Sequence, residues 1–264
     1  MVVDAHTHGG DGGGAWVQAV LALPFVVALV AYAAAAARER ARGRGWPLHR
    51  TACWSLGVAA AASGFVGPFA TPAGFVPHMA AHLVVGMLAP LLLVLGAPVT
   101  LALRSLSVTP ARRLAWLLRS MPARVLTFPV VAAVLNVGGL WALYRTPLFG
   151  LMQQSMLVHL LVTAHVLAAG YLFTFSIVGL DPSPHRAGFV LRAGVLVAAL
   201  AAHGILAKTL YAAPPPGVPA PEAQAGAQLM FTGGDLVDLA VLALLCGQWY
   251  HATGRRLQPA AVPR

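Results

Sequence analysis

Long apolar runs separated by short polar loops set the pattern of this chain. Span one covers about 16–37 (WVQAVLALPFVVALVAYAAAAA), span two about 51–69, span three about 78–103 and span four about 125–144. Span five covers about 151–178, span six about 188–211 and span seven about 227–250. Each comes near the ~20 residues that carry a helix across a bilayer, and runs of that length predict helices rather than the ~10-residue alternations of a barrel. Span two is rich in Ala and Gly and interrupted by Ser63 and Pro68, and its small residues suit close packing on a neighbour. The stretch ARRLAWLLRSM predicts a short interfacial helix before span four, and Trp141 and Tyr144 read as interface anchors at the end of that span. A Pro-rich loop, APPPGVPAPEAQAG, leads into span seven. The expected fold class is all-α: a polytopic membrane bundle of seven transmembrane helices over 16–250. A flexible extracytoplasmic arm over 1–15 precedes it and a basic cytoplasmic tail over 251–264 follows.

Composition agrees. The chain is 59% hydrophobic and 9% charged, against about 25% charged in soluble domains. That is too little polar surface to face water on all sides. The net charge of +10 would suggest nucleic acid in a soluble protein. Here fifteen of the seventeen Lys and Arg fall in the loops 38–50, 104–124 and 179–192 and in the tail. Basic residues confined to alternating loops orient a membrane protein and face anionic lipid. The expected partner is therefore the lipid bilayer and not nucleic acid. The same alternation puts the N-terminus outside and the C-terminus in the cytoplasm. Cys53 and Cys246 sit near cytoplasmic ends of spans, where a structural disulfide is not expected.

Orientation then sorts the histidines by depth. His49, His185 and His251 belong to basic loops or the tail and read as solvated. His78 and His82, four apart in HMAAH, share one helix face at the outer end of span three, with Met79 between them in sequence. His159 and His165 lie in span five, His203 in span six, and Asp235 and Asp238 in the outer half of span seven. Ionisable groups inside spans are costly, so they pair, coordinate something or line a wet cavity. Met152, Met156 and His159 fall at i, i+4 and i+7, one stripe on a helix. Imidazole with thioether suits Cu(I) better than Zn(II). The candidate metal ligands are His78, Met79, His82, His159, Met156 and His203, with His165, Asp235, Asp238 and Met152 in support. Asp235 and Asp238 would accept from imidazole N–H groups or carry protons, or one would pair with Lys208. The Met pair has a plain packing role as its alternative. His6 and His8 on the arm could collect metal outside. No HExxH, GxSxG or P-loop is present, so an enzyme is not expected.

HMAAH followed by APLLLVLGAPVTLALR, HVLAAGYLFTFSIVGLDP, and AQLMFTGGDLVDLA with QWY resemble the CtaG family of cytochrome c oxidase assembly factors. The resemblance implies a seven-helix protein of the bacterial plasma membrane that helps mature the copper-containing oxidase. His78, Met79, His82, His159, His165 and Asp235 match the family's polar positions. Thr163 stands where members often carry another His, and Glu222 only loosely represents an acidic residue before the last span. The leading expectation is a membrane copper chaperone holding Cu(I) and passing it to an oxidase subunit, loaded by an extracytoplasmic copper donor. The alternatives are a bis-His haem protein pairing His82 with His159 or His165 with His203, and a metal or proton transporter using His203, Lys208 and Asp235. A structural scaffold that docks on oxidase subunits is the remaining one.

Overall fold

A computed structural model describes residues 11–257 except residue 72, and helices and their connections account for all of them. His6 and His8 lie outside the described residues. The helices are α1 (Asp11–Ala41), α2 (Leu48–Val66), α3 (Phe75–Ser105), α4 (Val108–Leu118) and α5 (Met121–Leu126). They continue with α6 (Pro129–Arg145), α7 (Leu148–Gln154), α8 (Met156–Val178), α9 (Phe189–Ala212) and α10 (Ala220–Leu257). Five helices, those containing spans one, three, five, six and seven, are long and apolar enough to cross a membrane, which makes this a multi-pass membrane protein. Expected spans two and four form α2, of 19 residues, and α6, which is shorter and apolar. The short helix expected over ARRLAWLLRSM is α4.

Boundaries differ from expectation where local chemistry outweighs the hydropathy pattern. α1 starts at Asp11, inside the stretch expected to be an arm. α10 starts at Ala220, inside the Pro-rich loop: Pro221 in the first turn forfeits no hydrogen bond there, and Ala and Gln propagate the helix. Span five was expected to be continuous but breaks at Ser155, whose hydroxyl accepts the Val158 N–H and starts α8.

α3 is the central element. It packs against α2, α8 and α10 along its length and against α1 through its last segment, Pro98–Ser105. It is not uniform. His82–Leu88 winds as a π-helix, as does Val134–Gly138 in α6. Ala97 is left-handed (φ 49°) and breaks α3 ahead of Pro98. The break is held from two sides: Tyr32 donates to the Gly96 carbonyl at 2.7 Å, and Asp181 accepts from Val99 N at 3.1 Å and Thr100 N at 2.7 Å. α3 and α8 approach until a Cβ on Gly170 would overlap the Gly86 carbonyl oxygen. Only a backbone stripped of side chain permits that spacing.

The basic segments gather at one end of the bundle. Glu39, fully buried, meets Arg44 at 2.7 Å, Arg104 at 3.2 Å and Arg42 at 3.6 Å. Arg186 and Arg192 reach the carbonyls that close α8, and Gln248 of α10 bonds both. The candidate histidines lie away from this end, around the start of α3.

Candidate functional site

The start of α3 sets the site. Gly74 has φ 100°, a conformation suited to glycine, and turns the chain into the helix. Glu222 of α10 accepts the Phe75 N–H, filling an otherwise unmet donor of the first turn. This fixes where His78 and His82 point. His78 is 6% exposed and boxed by aromatic rings: Phe149 at 5.2 Å, Tyr144 at 5.9 Å and Phe75 at 6.2 Å between centroids. Its Nε2 lies 3.0 Å from the Tyr144 hydroxyl, which also lies 3.8 Å from Met79 Sδ. Tyr144 was expected at the membrane interface. It is buried instead, because its hydroxyl finds partners inside. Trp141 also turns inward and donates to Ala202 O at 3.2 Å.

His82 opens the π segment and lies between two small cavities. The first, about 40 Å³, is lined by His78, His82, His159, Tyr144, Met152 and Thr163, among others. The second, about 20 Å³, is lined by His82, His203, Asp238, Asn136 and Met87, with apolar neighbours. Each has room for a particle the size of a water molecule or an ion. The His82 and His203 rings are 5.9 Å apart. Both nitrogens of His82, Nε2 of His159 and Nε2 of His203 are buried with no hydrogen-bond partner among the described residues. Buried polar groups are nearly always bonded, so four unmet imidazole nitrogens facing two shared cavities stand out. No three His, Cys, Asp or Glu side chains among the described residues are yet close enough to hold an ion together.

The other candidates scatter. Met79 is fully buried in the apolar core, one residue and so about 100° round the helix from His78, outside both cavities. Met156 is 50% exposed. Met152 does line the first cavity, but from α7. The Met152–Met156–His159 stripe therefore fails as a single helix face: the break at Ser155 divides it. His165 spends Nε2 on the Leu135 carbonyl at 3.1 Å, a group in the π segment of α6. Asp238 is buried and lines the second cavity with His203, whereas Asp235 is exposed. Lys208 places its ammonium 5.5 Å from the Phe231 ring, and every ion pair among the described residues involves Glu39 instead.

Sequence reasoning placed neither Tyr144 nor Asn136 in this site, and it noted Glu222 only as an acidic residue before the last span. Glu222 carried a readable signal, since an acidic residue opens the helix that flanks α3. The buried hydroxyl of Tyr144 carried none. Glycines make room for the rings: a Cβ at Gly234 would come within 2.7 Å of His203, and one at Gly139 within 2.6 Å of His165.

Among known proteins, residues 30–252 match the family described as cytochrome c oxidase caa3 assembly factor (Caa3_CtaG), an interval holding every candidate from His78 to Asp238. Relatives described only as uncharacterized proteins occur in Mycobacterium bovis and Mycobacterium tuberculosis, each 40% identical over 187 residues. Another, from Mycobacterium leprae, is 36% identical over 188 residues. The alignments cover 67% of this chain but 28% of each relative, so the chain spans little more than a quarter of their length. No solved structure matches.

Proposed function

The chain belongs to the cytochrome c oxidase caa3 assembly factor family, and from that premise we propose that it carries Cu(I) to a copper-containing oxidase subunit. In this reading seven helices cross the bacterial plasma membrane, with the N-terminus outside and the histidine site in the outer leaflet. The gathering of basic segments at the opposite end supports that orientation. The observation that carries the copper reading is the set of unmet nitrogens on His82, His159 and His203. Cu(I) takes soft or borderline ligands, and the imidazoles of His82 and His159, which line one cavity with Met152, fit it.

His82 is the shared ligand. His78 and His159 would complete the site on the α8 side, and His203 with Asp238 on the α9–α10 side. Tyr144 orients His78 from behind. Small side-chain shifts would close the site on the ion, and an open coordination sphere suits cargo that must leave by ligand exchange. The cavity sizes favour a single ion over a porphyrin, and His165, already bonded, is a weak candidate for a haem axial ligand.

An anaerobic Cu(I) titration of purified protein tests the proposal. About one equivalent should bind, be lost in His82→Leu and weaken in His159→Leu and His203→Leu. Full retention in His82→Leu, or a Soret band in place of copper, would overturn it.

A further inference from the structure

We propose that the cleft between α3, α9, α10 and the segment that follows α8, at the basic end, binds the phosphate headgroup of an anionic phospholipid, with Arg186 and Arg192 as its charged partners. This site does not depend on copper binding, and it rests only on the orientation proposed above, with the basic end in the cytoplasm. The cleft measures about 1500 Å³, larger than the ~300–1,000 Å³ typical of small-molecule pockets. It is lined along α10 from Ala240 to Thr253, about 20 Å at 1.5 Å per residue. Its walls include the apolar side chains of Leu91, Leu95, Phe189 and Leu244, and Trp249, half exposed, stacks on Phe189 at 5.6 Å. Tryptophan at that level marks the headgroup region of a bilayer.

The charge in the cleft is not balanced. Arg192 is 7% exposed and its Nε has no partner among the described residues. Its Nη1 donates to Ile177 O at 2.6 Å and to Gln248 Oε1 at 3.4 Å. Arg186 donates to Val178 O at 3.0 Å and to the same Gln248 oxygen at 2.6 Å. All of these partners are neutral. The end of α8 offers only about half a negative charge, against two full guanidinium charges. A buried cation held by neutral partners is poised for an anion, and a guanidinium matches phosphate in shape. A free phosphate would satisfy the arginines but leave the long apolar walls unused. A lipid uses both, and the cytoplasmic leaflet supplies anionic lipid at this depth.

The test uses full-length protein in neutral detergent, with phosphatidylglycerol, phosphatidylcholine and inorganic phosphate as probes, read by native mass spectrometry and thermal shift. Phosphatidylglycerol should bind and stabilise, and the other two should not at matched concentration. Arg192→Gln should weaken binding about tenfold or more. Because Arg192 also closes α8, a second variant separates binding from folding. Gly247 lines the cleft with nothing within 4 Å of a Cβ placed there. Gly247→Leu therefore fills the cleft without touching a charge and should also weaken phosphatidylglycerol by about tenfold. Equal binding of phosphatidylcholine, displacement of the lipid by phosphate alone, or unchanged affinity in Gly247→Leu would each overturn the proposal.

Discussion

Replacing His82 by leucine should make the copper-free protein more stable while abolishing copper binding. A neutral imidazole presents one N–H and one lone pair, and in His82 both are buried without a partner among the described residues. An unmet buried donor or acceptor costs about 1–3 kcal/mol, so carrying this ring unloaded costs on the order of 2–6 kcal/mol. Leucine has similar bulk and no polar atom. Imperfect fit returns about 1–1.5 kcal/mol of the gain, and a water in the adjoining cavity of about 40 Å³ returns more. The net expectation is about 2 kcal/mol in favour of His82→Leu. Equilibrium unfolding in mixed micelles, with a copper chelator present, measures it. Adding free Cu(I) at about 100 times its dissociation constant should stabilise the wild type by about 2.7 kcal/mol and the variant not at all. The order of stability then reverses between chelator and copper. If His82→Leu is less stable than wild type in chelator by about 1 kcal/mol or more, the ring has partners after all and the argument from unmet nitrogens fails.

Gly74→Ala should cost about 1–3 kcal/mol in the same unfolding assay, since alanine disfavours φ 100° and its methyl would strike the Glu222 carboxylate; copper affinity should fall with it as the first turn of α3 shifts. Asp181→Ala removes the acceptor of Val99 N, Thr100 N and Thr100 Oγ1 and should cost about 2–3 kcal/mol, with stoichiometric copper binding retained. Gly170→Ala forces α8 off the Gly86 carbonyl and should cost about 1–3 kcal/mol, read as a lowered melting temperature. Tyr144→Phe frees His78 Nε2, and should lower stability by about 1 kcal/mol while speeding copper release in a chelator-competition experiment.

The apolar runs made the helices legible, and α9, expected at about 188–211, spans Phe189–Ala212. The pairing of His78 with His82 followed from four-residue spacing because the helix is regular between them. Other spacings misled because they assumed unbroken helices. Ser155 divides one methionine stripe, and Met79, beside His78 in sequence, points into the core. The two π segments escape periodicity altogether: each changes which residues face inward, and one of them creates the carbonyl that holds His165. Which nitrogen lacks a partner is a property of packed neighbours, and Tyr144 and Asn136 came to the histidines only on folding.

The crowd of guanidinium groups at the foot of the bundle has a consequence for traffic. On the copper proposal, a cuprous ion moving from the histidines toward that foot would be repelled, by about 1.7 kcal/mol for each unit charge 10 Å away at an effective dielectric of 20. Glu39 offsets only one of the three guanidinium charges it meets, those of Arg42, Arg44 and Arg104, so the foot stays positive. The interior is then a cul-de-sac: the ion arrives and departs by one doorway, and whichever protein delivers it must step aside before the recipient can collect.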